Sequence, residues 1–164
     1  MLEPSIRLTL LDSLNKRIQF LETVCRELDL PDVACVHARA EEFAAEHRET
    51  FDLAVSRAVA ALPVLCELCL PLVKPGGKFL AMKSVESDAE LAASQHAIAI
   101  LGGAVEAVRD YAIPGTDVRH RLIVVEKVKS EHTFLKNPAF IILSAVGGEQ
   151  MTEDAFKAGA NYYL

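Results

Sequence analysis

The sequence has no hydrophobic run approaching the ~20 residues needed to span a membrane. It has no signal peptide ahead of its first strand pattern, and no repeat or low-complexity segment. Together these absences lead us to expect a globular, cytoplasmic protein without a membrane partner. Basic charge is scarce as well. The formal net charge is −6, which argues against a strong nonspecific grip on nucleic acid, because counterion release needs clustered Lys and Arg. Cysteine is limited to Cys25, Cys35, Cys66 and Cys69. Cys66-Glu67-Leu68-Cys69 has C-x-x-C spacing, but no second pair completes a zinc site. It also lies inside a helix pattern rather than at the strand-to-helix turn of a redox motif. Buried helix cysteines in a reducing compartment are the simpler reading. His37, His47, His96 and His132 share no ligand spacing, so no metal site is expected.

What remains is ordinary globular composition at single-domain length, 164 residues with 51% hydrophobic. Strand and helix patterns alternate, which predicts a mostly parallel sheet covered on both faces. Strands are expected at 7–11, 33–38, 51–56 and 78–83, with helices at 14–28, 40–48, 62–73 and 88–101. Ser13 is a candidate N-cap for the first helix. Pro63 suits the first turn of the third, with Pro71 ending it late. Pro75-Gly76-Gly77 reads as a turn. Strands 105–112 and 121–127, separated by Pro114-Gly115, are expected to form an antiparallel hairpin. Residues 130–137 read as a linker. Pro138 then introduces an apolar strand at 139–143, followed by Gly147-Gly148, a helix near 152–157 and Gly159 as its C-cap.

The most informative local pattern is Arg7-Leu8-Thr9-Leu10-Leu11-Asp12, a buried strand with a carboxylate at its tip and a helix directly after it. This is the second half of a dinucleotide-type fingerprint, in which the acid takes ribose hydroxyls. The first half, a strand with a glycine-rich loop, belongs ~20 residues upstream, and only residues 1–6 precede this strand. Weak or absent cofactor binding is therefore the expectation.

The stretches LTLLDSLNKRIQFL, VHARAEEF, FDLAVSRAVAALPVLCELCLPLVKPGGKFLAMKS and RHRLIVVEK carry a resemblance in wording as well as pattern. Over residues 7–129 the chain resembles the GidB/RsmG family, which methylates a guanine N7 of small-subunit ribosomal RNA with S-adenosylmethionine. The family's N-terminal helical region and first strand are expected to be absent. The resemblance implies a three-layer, Rossmann-like class I methyltransferase sheet, mostly parallel with an antiparallel hairpin. It implies that Asp12, with Ser13 beside it, takes the cofactor ribose, that Ala40 and Glu41 flank the adenine, and that Arg57 belongs to the cofactor and substrate pocket. Lys83 would face the RNA, and Arg119 and Arg121 form a small basic cluster that could meet phosphate. Guanine N7 carries a free lone pair, so positioning rather than proton removal would be the enzyme's task, and no acid–base dyad is found.

Residues 138–164 resemble something else, the fourth strand, fourth helix and start of the fifth strand of a response-regulator receiver. Its acidic pocket and phosphorylatable Asp are missing, so a phospho-switch is not expected. The domain reading is thus a truncated methyltransferase core over 1–129, a linker over 130–137 and a flavodoxin-like β-α segment over 138–164 packed into the same domain. In the parent sheet the first strand lies between the strands at 8–11 and 53–55, and unpaired edges there invite aggregation. The strand Phe140–Leu143 is expected to fill that slot. Ser144 to Gly148 would then stand where the glycine loop stood, with Glu149 unwelcome near a carboxylate. Two functions follow from this reading. One is a remnant methyltransferase, impaired or inactive; the other is a non-catalytic chimera whose relevant property is folding.

Each candidate also has a plainer explanation. Asp12 could be a strand-end or turn acid, or share the capping with Ser13, and Glu41 could belong to a solvated acidic face with Glu42. Arg57 and Lys83 could be surface groups at strand ends, and Arg119 and Arg121 a solvated hairpin end.

Overall fold

The computed structural model describes residues 6–57 and 59–128, and the backbone of 139–144. Strands β1 (Arg7–Asp12), β2 (Val33–His37), β3 (Phe51–Arg57) and β4 (Val73–Ser84) alternate with helices α1 (Asn15–Glu27), α2 (Ala40–Glu46), α3 (Leu62–Cys69) and α4 (Asp88–Ile100). Strands β5 (Gly103–Ala112), β6 (Arg119–Lys127) and β7 (Ala139–Ser144) follow. All seven strands join one sheet in the order β2-β1-β7-β3-β4-β6-β5. β6 runs antiparallel to both β4 and β5, and the other pairings are parallel. The α/β reading and the β5–β6 hairpin both hold.

β7 lies inside the sheet, third of its seven strands, between β1 and β3. Ile141 lies opposite Thr9 of β1 on one side and Ala54 of β3 on the other. The pairing expected for Phe140–Leu143 is therefore present on both flanks. The helix expected near 152–157, its Gly159 cap and the linker over 130–137 lie outside the described residues.

Alternation along the strands divides the sheet into two faces. Leu11, Ala54, Phe79, Ala81, Ile123 and Val125 point into one core with Phe43 and Ala44 of α2, Leu62, Leu65, Cys66 and Cys69 of α3, and Ile98 of α4. α1 lies over the opposite face. It packs on β1 and β2, and Ile18 is its buried residue. Cys66 and Cys69 are wholly buried core residues of α3, as the plainer reading of C-x-x-C requires.

Several boundaries differ from those read in the sequence. α3 ends at Cys69 instead of running to residue 73, because proline at 71 cannot supply the amide that would continue it. Val73 instead opens β4, pairing with Phe51. Pro75-Gly76-Gly77 is consequently not a turn but the irregular start of that strand, where the register shifts against β3 between Phe51 and Leu53. Gly76 adopts a positive φ of 83°, and Gly77 lies against the β3 backbone. Ser13 does not cap α1, and Leu14 occupies the N-cap position. The side chain that serves the helix entrance is Asp12.

Candidate functional site

In an open α/β sheet, ligands bind outside the carboxyl ends of the strands. Register brings His37, Asp12, Ser144, Arg57 and Met82 side by side along that edge. Of the candidate site residues, the register thus brings Asp12 and Arg57 to this edge.

Asp12 is turned inward. Its side chain is 2% exposed. Oδ1 accepts a hydrogen bond from the Leu14 amide at 2.8 Å, and Oδ2 meets the Arg17 guanidinium at 3.3 Å. Both oxygens therefore serve the entrance of α1, where unpaired amides favour an anion. Ser13 is exposed, and its carbonyl lies 3.0 Å from His37 Nε2. Ala40, the first residue of α2, packs its methyl against the core. Glu41 is exposed and contacts Arg39 at 3.4 Å, a surface pair of little energetic weight. Arg57 is exposed at the end of β3. The adjacent Ser56 hydroxyl is buried without a partner among the described residues. It shares the alternation of Ala54 and so points into the core layer, away from the ligand edge.

The three residues expected to face RNA separate. Arg119 is exposed. Lys83 is not a surface lysine: its side chain is 10% exposed, and Nζ lies 2.7 Å from Glu90 Oε2 and 2.9 Å from the Ala60 carbonyl. The same Glu90 oxygen accepts the Leu62 amide at the start of α3. Lys83 therefore ties the β3–α3 connection to α4. Arg121 is likewise engaged, with Asp88 at 2.6 Å and Asp110 at 2.7 Å, and its side chain is 11% exposed. Its hydrogen bonds hold the Asp110 carboxyl below the usual carboxylate range. The Asp110 carboxylate in turn, with Asp88 beside it, binds the Arg121 proton more tightly. The supposed basic cluster is mainly a clamp joining α4 to the β5–β6 hairpin. The sequence could not show this, because its partners stand far from Arg121 in the chain.

A cavity of about 530 Å³ opens elsewhere, on α1, lined by Leu14, Asn15, Lys16, Arg17 and Phe20. Its lining includes Arg17 but not Asp12, Glu41 or Arg57.

The profile of the family described as "GidB: rRNA small subunit methyltransferase G" matches residues 1–124. The chain belongs to the GidB family. Curated relatives agree. The ribosomal RNA small subunit methyltransferase G of Alkaliphilus metalliredigens is 51% identical over 132 residues, covering 79% of this chain and 55% of that protein. The Clostridium botulinum protein of the same description is 46% identical over 143 residues, covering 85% and 60%. The chain thus spans little more than half the length of the relatives it matches. Among solved structures, a SAM-dependent methyltransferase from Methanosarcina mazei superposes with a TM-score of 0.55 at 14% identity, covering 74% of this chain and 82% of that one. At that identity the likeness establishes the fold alone, a Rossmann-like methyltransferase sheet.

Family membership implies S-adenosylmethionine as cofactor, and the geometry of the edge tests whether these residues fit it. A ribose diol needs a carboxylate with accessible oxygens. Asp12, the acid that the resemblance assigns to the ribose, is buried, with Oδ1 on the Leu14 amide and Oδ2 on Arg17. In this arrangement the residues do not fit the cofactor.

Proposed function

We propose that this chain is the core of an S-adenosylmethionine-dependent, small-subunit rRNA guanine-N7 methyltransferase whose cofactor edge is closed, so that it does not methylate RNA as it stands. Membership of the GidB family supports the class of reaction, the cofactor and the RNA substrate. The closed edge rests on one observation, the Asp12 carboxylate held by Leu14 and Arg17. To take a ribose, Asp12 must give up a charge-assisted bond and expose a buried carboxylate. Each such bond contributes about 1.5–3 kcal/mol, a large share of what a modest ligand gains on binding. Arg57 is the residue of the edge best placed to meet an anionic group, and in this reading Glu41 stays in solvent.

The expectation placed on Ser144 to Gly148 and on Glu149 falls, beyond Ser144, outside the described residues. Titration calorimetry with S-adenosylhomocysteine tests the reading. We expect no saturable heat, corresponding to a dissociation constant weaker than about 1 mM. Micromolar, saturable binding would overturn the closed edge and restore an active site.

One observation favours a second reading, a non-catalytic chimera whose relevant property is its fold. The family match ends at residue 124, whereas the strand between β1 and β3 is Ala139–Ser144. In this reading a receiver-like β-α segment has taken over the slot between β1 and β3, and the chain owes its stability to that insertion.

A further inference from the structure

We propose that Cys25 and Cys35 form an oxidisable pair, a modification site at which a peroxide joins the two thiols into a disulfide tying α1 to β2. Cys25 lies in the last turns of α1. Cys35 lies in β2 opposite Leu10, on the sheet face that α1 covers. Their sulfurs are 4.0 Å apart across that contact. A disulfide requires about 2.05 Å, a closure within reach of side-chain rotation and a small shift of the helix end. Both cysteines are half-buried, so a small oxidant has access.

The other two cysteines provide an internal contrast. Cys66 and Cys69 are wholly buried in α3. Burial pushes the Cys66 thiol up to about 12 and raises Cys69 well above the ordinary thiol value. They are core residues, inert as long as the fold is intact.

Within the proposed pair the two sulfurs have different roles. Burial, and then the hydrogen bond to Cys25, hold the Cys35 thiol up at about 11; the charges of Cys25 and Glu22 act in the same direction. Cys35 therefore keeps its proton and can donate it as a hydrogen bond to the Cys25 sulfur. The first attack is therefore assigned to Cys25. Its thiolate attacks one peroxide oxygen, forming S–O and breaking O–O, and the departing hydroxide takes up a proton to leave as water. Cys35 then gives its proton to solvent and attacks the sulfenic sulfur of Cys25. The S–S bond forms, the S–O bond breaks, and the released hydroxide is protonated to a second water. In sum, two thiols and one hydrogen peroxide give one disulfide and two waters.

The test uses the full chain in its folded state and does not depend on cofactor binding. The protein is treated with hydrogen peroxide, its remaining thiols are alkylated after denaturation, and tryptic fragments are weighed. The expected product links Ile18–Arg26 to Glu27–Arg39 with the loss of two hydrogens, while Cys66 and Cys69 are recovered fully alkylated. A thiol reductant should restore all four thiols. In Cys35→Ser the bridge cannot form, and Cys25 should instead be trapped as a sulfenic acid by dimedone. The proposal is overturned if Cys25 and Cys35 stay free, if each is oxidised without being linked, or if the bridge joins two chains or involves Cys66 or Cys69.

Discussion

Ile141→Pro is expected to destabilise the fold by about 3 kcal/mol or more, read as a large fall in the urea midpoint or as loss of soluble protein. The reason lies in the place of β7. A strand with partners on both sides has each of its amides directed at one neighbour or the other. Thr9 and Ala54 flank Ile141 in the register. Proline removes one of those donors and adds a ring where a neighbouring strand must approach. Domains of this size are stable by only about 5–15 kcal/mol, so the loss is a large fraction of the total. Separation of β7 would also leave β1 and β3 with apolar residues along two unpaired edges, a state that favours aggregation. An unchanged urea midpoint for Ile141→Pro would show that β7 is not integral to the sheet.

The second large effect is expected at Gly77. A Cβ built there would stand 2.6 Å from the Asp52 carbonyl oxygen, 2.9 Å from Val73 Cγ1 and 3.0 Å from the Lys74 carbonyl oxygen. Two of those three contacts are backbone and cannot rotate away. Gly77→Ala must therefore push β4 from β3 near the ion pair of Lys74 with Asp52. We expect a loss of about 3 kcal/mol, the upper end for overpacking. Gly115 provides the comparison. Its φ is +77° and a Cβ there meets nothing within 4 Å, so Gly115→Ala should cost only the left-handed backbone penalty, about 1–2 kcal/mol. Urea unfolding of the two variants decides the matter, and equal losses would contradict the close-approach argument.

The residue pattern exposed the alternating strands and helices, whereas the slot of β7 between β1 and β3 was implied by the family resemblance. The near-continuous apolar runs at Leu8 to Leu11 and at Phe79 to Met82 mark strands of a sheet covered on both faces, and the hairpin followed from Pro114-Gly115 between two strand patterns. The β4 entrance was less legible. Pro75-Gly76-Gly77 has the composition of a turn, and only the pairing of Val73 with Phe51 shows that the strand begins before it. The site was harder again. Position along the strand puts Asp12 at the ligand edge, but it does not say which way the carboxylate turns. The bond from the Leu14 amide to Asp12 spans two residues, the contact of a strand-end or turn acid, and no side chain caps α1. Lys83 and Arg121 depend on acids that arrive from other elements, Glu90 from α4, and Asp88 and Asp110 from α4 and β5. No local pattern reports such long-range pairing. The juxtaposition of Cys25 with Cys35 was invisible for the same reason.

Backbone hydrogen exchange across the intact chain probes the place of β7 in the sheet directly. If β7 is built into it, the amides of Phe140 to Leu143 exchange only through global unfolding, with protection equal to that of Leu10 in β1 and Val55 in β3. Rapid exchange at Phe140 to Leu143, while Leu10 and Val55 remain protected, would contradict the account.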